Sequence, residues 1–166
     1  GLDRIDPQAE ISKLPLADRQ RIEITREMVR APVVLLDGVE ETITQLSTSY
    51  DLMLITKGEL FEQEAKIIRS GLAERFSKIE IVRTKTPEIY KGLTVKHKLD
   101  PQKFLMVGNS MRSDILPVLE IGGKAVHIPY ETTWEHEIVP EAELADKDFL
   151  QLSSIRELPK LIETLK

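Results

Sequence analysis

Phe104-Leu105-Met106-Val107-Gly108-Asn109-Ser110-Met111-Arg112-Ser113-Asp114-Ile115 decides how this chain folds. Four apolar residues run into a glycine, an amide, a hydroxyl and then a carboxylate. A short apolar run bounded by turn residues reads as a strand buried on both faces. Gly108 lets the chain leave that strand sharply. Asn109 and Asp114 then straddle the turn at the start of a helix. Oxygen donors of this kind suit Mg²⁺, which keeps several waters and takes one or two carboxylates. The plainer account is a polar strand–helix turn capped by Ser113.

Two loops upstream share this plan. Leu52-Met53-Leu54-Ile55 runs into Thr56-Lys57-Gly58-Glu59. That tetrapeptide has the spacing of a capping box, and a helix start also offers backbone N–H groups to an anion. Ile79-Glu80-Ile81-Val82 runs into Arg83-Thr84-Lys85-Thr86-Pro87, a cation ahead of a helix that begins with proline. Arg83 and Lys91 are nearby substitutes for Lys85. Open parallel sheets bind ligands at the carboxyl ends of their strands. A hydroxyl, an ammonium and an amide/carboxylate pair would therefore meet along one edge.

The rest of the chain supplies the sheet for that edge. Strands are predicted at about 51–56, 78–83, 103–107, 124–128 and 148–152, and helices at about 59–71, 87–98, 113–121 and 154–165. Short apolar strands alternating with amphipathic helices predict an α/β fold, a doubly wound parallel sheet. Asp37-Gly38-Val39-Glu40 has capping-box spacing and predicts a helix toward Leu46, and Ser154 with Glu157 predicts another N-terminus. Ile155, Leu158, Ile162 and Leu165 share one helical face. Residues 1–31 differ: they are polar, carry Pro7 and Pro15, and support only a patchy helix from Leu16 to Arg30, ended by Pro32.

Composition excludes several classes. The 166 residues carry a formal net charge of −5, which argues against a nucleic-acid or anionic-membrane footprint. Cysteine is absent, which rules out disulfides and Cys-ligated metals and fits a cytoplasmic setting. No apolar run approaches a membrane span. Two of the three histidines, His127 and His136, lie near one another but lack the spacing of a recognised zinc site. His97 is expected to be solvated on a Lys-rich helical face, and His127 and His136 to belong to a loop packed by Trp134. Gly122-Gly123 reads as a helix stop.

The order and spacing of the loops at Thr56, Lys85 and Gly108–Asp114 resemble the haloacid dehalogenase-like (HAD) hydrolases. The resemblance runs from roughly residue 14 to the C-terminus. Two positions depart from the usual pattern: Thr86 stands where a second proline follows the lysine, and Asn109 stands where the metal loop has Asp. The family nucleophile, the first Asp of an Asp-x-Asp-x-(Thr/Val) loop, has no counterpart among these residues. Asp37 lacks an acid two positions on, and Asp146-Lys147-Asp148 lacks a preceding apolar strand.

The resemblance implies that residues 1–31 are the C-terminal part of a helical cap. Residues 32–166 would be a HAD-like core lacking its first strand. It implies a Mg²⁺-dependent hydrolase of a small phosphomonoester, working through an aspartyl-phosphate with its nucleophile outside this chain. Thr56 and Lys85 take catalytic roles, Thr56, Lys57, Gly58 and Lys85 hold the phosphate, and Asn109 and Asp114 hold the metal. The expected partner is a small phosphorylated substrate, with no nucleic acid or membrane, and with room for a homodimer. The fragment alone is expected to be inactive. The alternative is a non-catalytic HAD-like binding or scaffolding module. A metal-free dehalogenase fits poorly, because those enzymes keep Asn and Asp closer in this loop. The absent strand belongs between 51–56 and 103–107. Those two are therefore expected to lie unpaired, roughly 10 Å apart, about twice the usual strand spacing.

Overall fold

The computed structural model describes residues 37–130 and 139–165. The expected cap tail, Trp134 and His136 lie outside them. Five parallel strands alternate with helices: α1 (Val39–Leu46), β1 (Met53–Lys57), α2 (Leu60–Ser70), β2 (Lys78–Val82), α3 (Pro87–Lys96), β3 (Leu105–Gly108), α4 (Leu116–Glu120), β4 (Lys124–His127), α5 (Glu141–Leu144), β5 (Leu150–Gln151) and α6 (Leu158–Thr164). Each predicted strand is present, with ends shifted by one or two residues; β1 and β3 each run one residue further at the C-terminal end than predicted. A π-helical turn, Met111–Ile115, precedes α4, and a 3₁₀ turn, Ile155–Glu157, precedes α6.

The sheet is split. β1 pairs with β2 (Met53 opposite Lys78), while β3, β4 and β5 pair in that order (Leu105 opposite Lys124, Val126 opposite Leu150). Among the described residues, no strand pairs with the second edge of β1 or of β3. Between them lies a cleft of about 1180 Å³, walled on one side by Leu54 and Ile55 and on the other by Leu105 and Met106. The two half-sheets share a core even though they share no ladder. On one face Ile55 of β1 and Met106 of β3 pack with Tyr90, Leu93 and Val118. On the other, Leu105 and Val107 pack against Leu46, Val126 and Leu158. Successive side chains of β3 thus face opposite layers, as strict alternation requires.

Helix starts divide into those whose caps are local and those whose caps are not. Thr86 caps α3, accepting from the Ile89 N–H at 3.4 Å, with Pro87 in the first turn. Ser154 and Glu157 form a complete capping box, although it opens a 3₁₀ turn rather than an α-helix. The expected box at Asp37–Glu40 does not form. Gly38 is the N-cap of α1, and the Asp37 carboxylate turns away to accept two hydrogen bonds from Arg156, at 2.7 and 2.9 Å. A bidentate guanidinium is a stronger partner than a frayed backbone N–H, and it holds the Asp37 carboxyl below its ordinary range.

His97 also departs from expectation. Its ring Nε2 lies 2.6 Å from Glu80 Oε1, and its side chain is only 16% exposed. Glu80 projects from β2 beneath the end of α3 and accepts from Lys96 as well. Lys96, more than His97, keeps the Glu80 carboxyl below its usual range.

Two glycines make opposite demands. A Cβ on Gly108 would overlap the Asp114 carboxylate, whereas one on Gly92, inside α3, would meet no atom within 4 Å. Gly92→Ala is expected to raise stability by about 0.5–1 kcal/mol. Gly108→Ala is expected to lower it by about 1–3 kcal/mol through overpacking. Urea unfolding of both variants checks the pair.

Candidate active site

The site sits where the carboxyl ends of β1, β2 and β3 meet. Lys85, in the loop after β2, reaches past the end of β1 to the turn after β3. There its ammonium meets Asp114 Oδ1 at 2.6 Å, with the two side chains 12% and 6% exposed. The other carboxylate oxygen, Oδ2, accepts the Ser110 N–H at 3.1 Å. Neither charge has much water, so each depends on its partner for solvation.

Local sequence explains how Asp114 arrives there. The chain turns off β3 at Gly108, where the missing side chain makes room for the carboxylate. The next turn is π-helical, with the N–H groups of Asp114 and Ile115 both directed at the Ser110 carbonyl (2.8 and 3.2 Å). Such turns carry one extra residue per turn and often mark functional positions. The cap of this turn is Ser110, whose Oγ accepts the Ser113 N–H at 2.9 Å; Ser113 is not the cap. Tyr90, fully buried on α3, donates its hydroxyl to the Ser113 carbonyl at 3.0 Å. Burial first, and the nearby Asp114 charge second, push the Tyr90 phenol far up, so it remains a donor. Sequence reasoning gave Tyr90 no role, although Pro87 at the helix start fixes which α3 residues face inward.

Thr56 and Lys57 are still in strand β1, and the helix that follows starts with Glu59 as N-cap. The predicted Thr56 capping box is therefore absent. The Thr56 hydroxyl instead donates to Gln63 Oε1 at 2.7 Å. Lys57 Nζ lies 3.4 Å from Ser113 Oγ, so the loops after β1 and β3 approach each other. Gly58 has φ +154, a value that L side chains rarely adopt. The Asn109 side chain is exposed and bonds to no described residue, while the Asn109 backbone carbonyl oxygen is 3.1 Å from His127 Nε2. The structure thus brings Lys85, Asp114, Lys57 and Ser113 together and leaves Asn109 at the rim. Gln63, like Tyr90, is a polar residue that the sequence did not flag. No acidic group, histidine or cysteine cluster of three or more occurs among the described residues. None of the described helices is long and apolar enough to cross a membrane.

No family model matches the chain. It is 29% identical over 135 residues to a glyceraldehyde 3-phosphate phosphatase of Pyrococcus furiosus, an overlap covering 78% of this chain and 53% of that protein. A protein of the same name from Pyrococcus abyssi is 31% identical over 99 residues, 56% of this chain and 42% of that one. The chain therefore spans about half the length of the curated relatives it matches. Among solved structures it resembles a haloacid dehalogenase-like family hydrolase from Xanthomonas campestris, with 35% identity and a TM-score of 0.71 over 93% of this chain and 65% of that one. These matches are to haloacid dehalogenase-like hydrolases and phosphatases, and the chain belongs to the haloacid dehalogenase-like superfamily.

Proposed function

We propose that this chain forms the phosphoryl- and metal-binding half of a hydrolase acting on a small phosphomonoester. The observation that carries the reading is the nearly dry Lys85–Asp114 pair at the carboxyl end of a split parallel sheet. A cation fixed there by a carboxylate faces a developing phosphoryl charge without reorganising. That is the source of large electrostatic stabilisation in water-poor sites. The similarity to two proteins named as glyceraldehyde 3-phosphate phosphatases supports a phosphomonoester over other esters.

In this reading Lys85 offers its remaining N–H groups to the phosphoryl oxygens while Asp114 holds it in place. Thr56 and the loop Lys57-Gly58 approach the same group from β1. The nucleophile is an Asp on a further strand lying between β1 and β3, from outside these residues, and an aspartyl-phosphate forms and is then hydrolysed. The donor set at the turn fits Mg²⁺ in part. Asn109 offers a neutral oxygen with no described partner, and each Asp114 oxygen keeps a lone pair beyond its present bond. When bound, the ion would neutralise phosphoryl charge.

The full-length protein is expected to hydrolyse an aryl phosphate only when Mg²⁺ is supplied, and EDTA-resistant turnover contradicts the assignment. In it, Lys85→Ala should lower kcat by about 10²–10³, the usual effect of removing one major charge stabiliser. A protein that binds aryl phosphate with no turnover would instead be the non-catalytic module. Asn109→Asp replaces a neutral ligand with a charged one and is expected to lower the Mg²⁺ concentration at half-maximal activity. An unmoved midpoint places Asn109 outside the metal shell.

A further inference from the structure

Thr56 and Gln63 form a polar pair that the fold has gone out of its way to seat. Gln63 lies in the first turn of α2, its own N–H bonded to the Glu59 carbonyl at 3.0 Å. Its amide reaches back to the Thr56 hydroxyl at 2.7 Å. Between them in the chain stands Gly58, where an added Cβ would come within 2.6 Å of Gln63 Nε2. Gly58 therefore contributes space as well as an unusual φ. Both polar side chains border the cleft between β1 and β3.

A threonine hydroxyl has one proton to donate. Directed at Gln63 Oε1, that proton is withheld from any anion beside Thr56. A primary amide can reverse this from the same seat. Turned about its last bond, it presents Nε2 as a donor to Oγ1, and the threonine proton then points away from Gln63.

We propose that Gln63 is a positioning residue for Thr56, its amide setting whether the hydroxyl faces Gln63 or a bound phosphoryl oxygen. The inference rests on the assignment of Thr56 to the phosphoryl site made above. Gln63 acts through Thr56 and does not touch the phosphoryl group. An ionised glutamate at this position can accept but not donate, so it locks the Thr56 proton inward.

The test is calorimetric binding of inorganic phosphate to the full-length protein, in both Thr56 and Thr56→Ala backgrounds. Gln63→Glu is expected to weaken binding about tenfold or more at neutral pH, the scale of one hydrogen bond to a charged group. The loss should shrink as pH falls and the new carboxyl gains a proton. In the Thr56→Ala background the same change should cost less than about threefold, because the hydroxyl it acts on is gone. Equal losses in the two backgrounds would show simple charge repulsion and overturn the proposal. Gln63→Met, which keeps the helix and removes both polar ends, is the second variant. It should weaken binding only where Thr56 is present, and a loss independent of Thr56 also overturns the proposal. If Lys85→Ala abolishes phosphate binding while Gln63→Glu leaves it unchanged, the phosphoryl site stands and Gln63 does not. If the unsubstituted protein binds no phosphate, both readings fall.

Discussion

The ion pair between Lys85 and Asp114 ties together two pieces of sheet that, among the described residues, no backbone hydrogen bond joins. Lys85 follows β2 in one half and Asp114 follows β3 in the other, and their contact at 2.6 Å spans the end of β1 and the cleft beside it. Two charges this poorly hydrated are costly to bury and costlier to separate. Their surroundings are correspondingly elaborate. The Ser110 N–H takes the second carboxylate oxygen, Gly108 stands clear, and the Tyr90 hydroxyl fixes the carbonyl next to Asp114. Each of these features serves the position of one carboxylate.

The cleft is the other half of the same design. β1 and β3 run parallel and contribute Ile55 and Met106 to one core, yet their facing edges have no described strand between them. A buried N–H or C=O without a partner costs about 1–3 kcal/mol, so two such edges form a strong seat for a strand. In the proposed enzyme that strand brings the nucleophile to the ends of β1 and β3, beside Lys85. Fold completion and assembly of the catalytic group would then be a single event. The share of the Xanthomonas campestris hydrolase that this chain matches, 65% of its length, leaves room for such a part.

Much of this was legible in the sequence because the signals were local or periodic. Apolar runs gave all five strands, and Thr86-Pro87 and Ser154-x-x-Glu157 gave their helix starts, since a cap depends on residues three positions apart. That the Thr56 and Gly108 strands do not pair followed from the resemblance to the haloacid dehalogenase-like sheet, in which another strand lies between them. Failures came where a distant side chain outcompeted a local one. Asp37 left its expected cap for Arg156, 119 residues away, and His97 left solvent for Glu80 on β2. Thr56 stayed in its strand, opposite Ile81, and its hydroxyl found Gln63 instead of a helix N-terminus. Pairings of this kind depend on which surfaces the fold brings together, and no spacing rule encodes them.

Whether the Lys85–Asp114 pair holds the halves together can be measured by a double-mutant cycle in denaturant unfolding of the full-length protein. Lys85→Met and Asp114→Leu should each cost about 3–5 kcal/mol, because each leaves a buried charge without its partner. The double variant should cost clearly less than the two together, with a coupling above about 1.5 kcal/mol. Costs that add to within about 0.5 kcal/mol, as for residues that do not interact, would contradict the account.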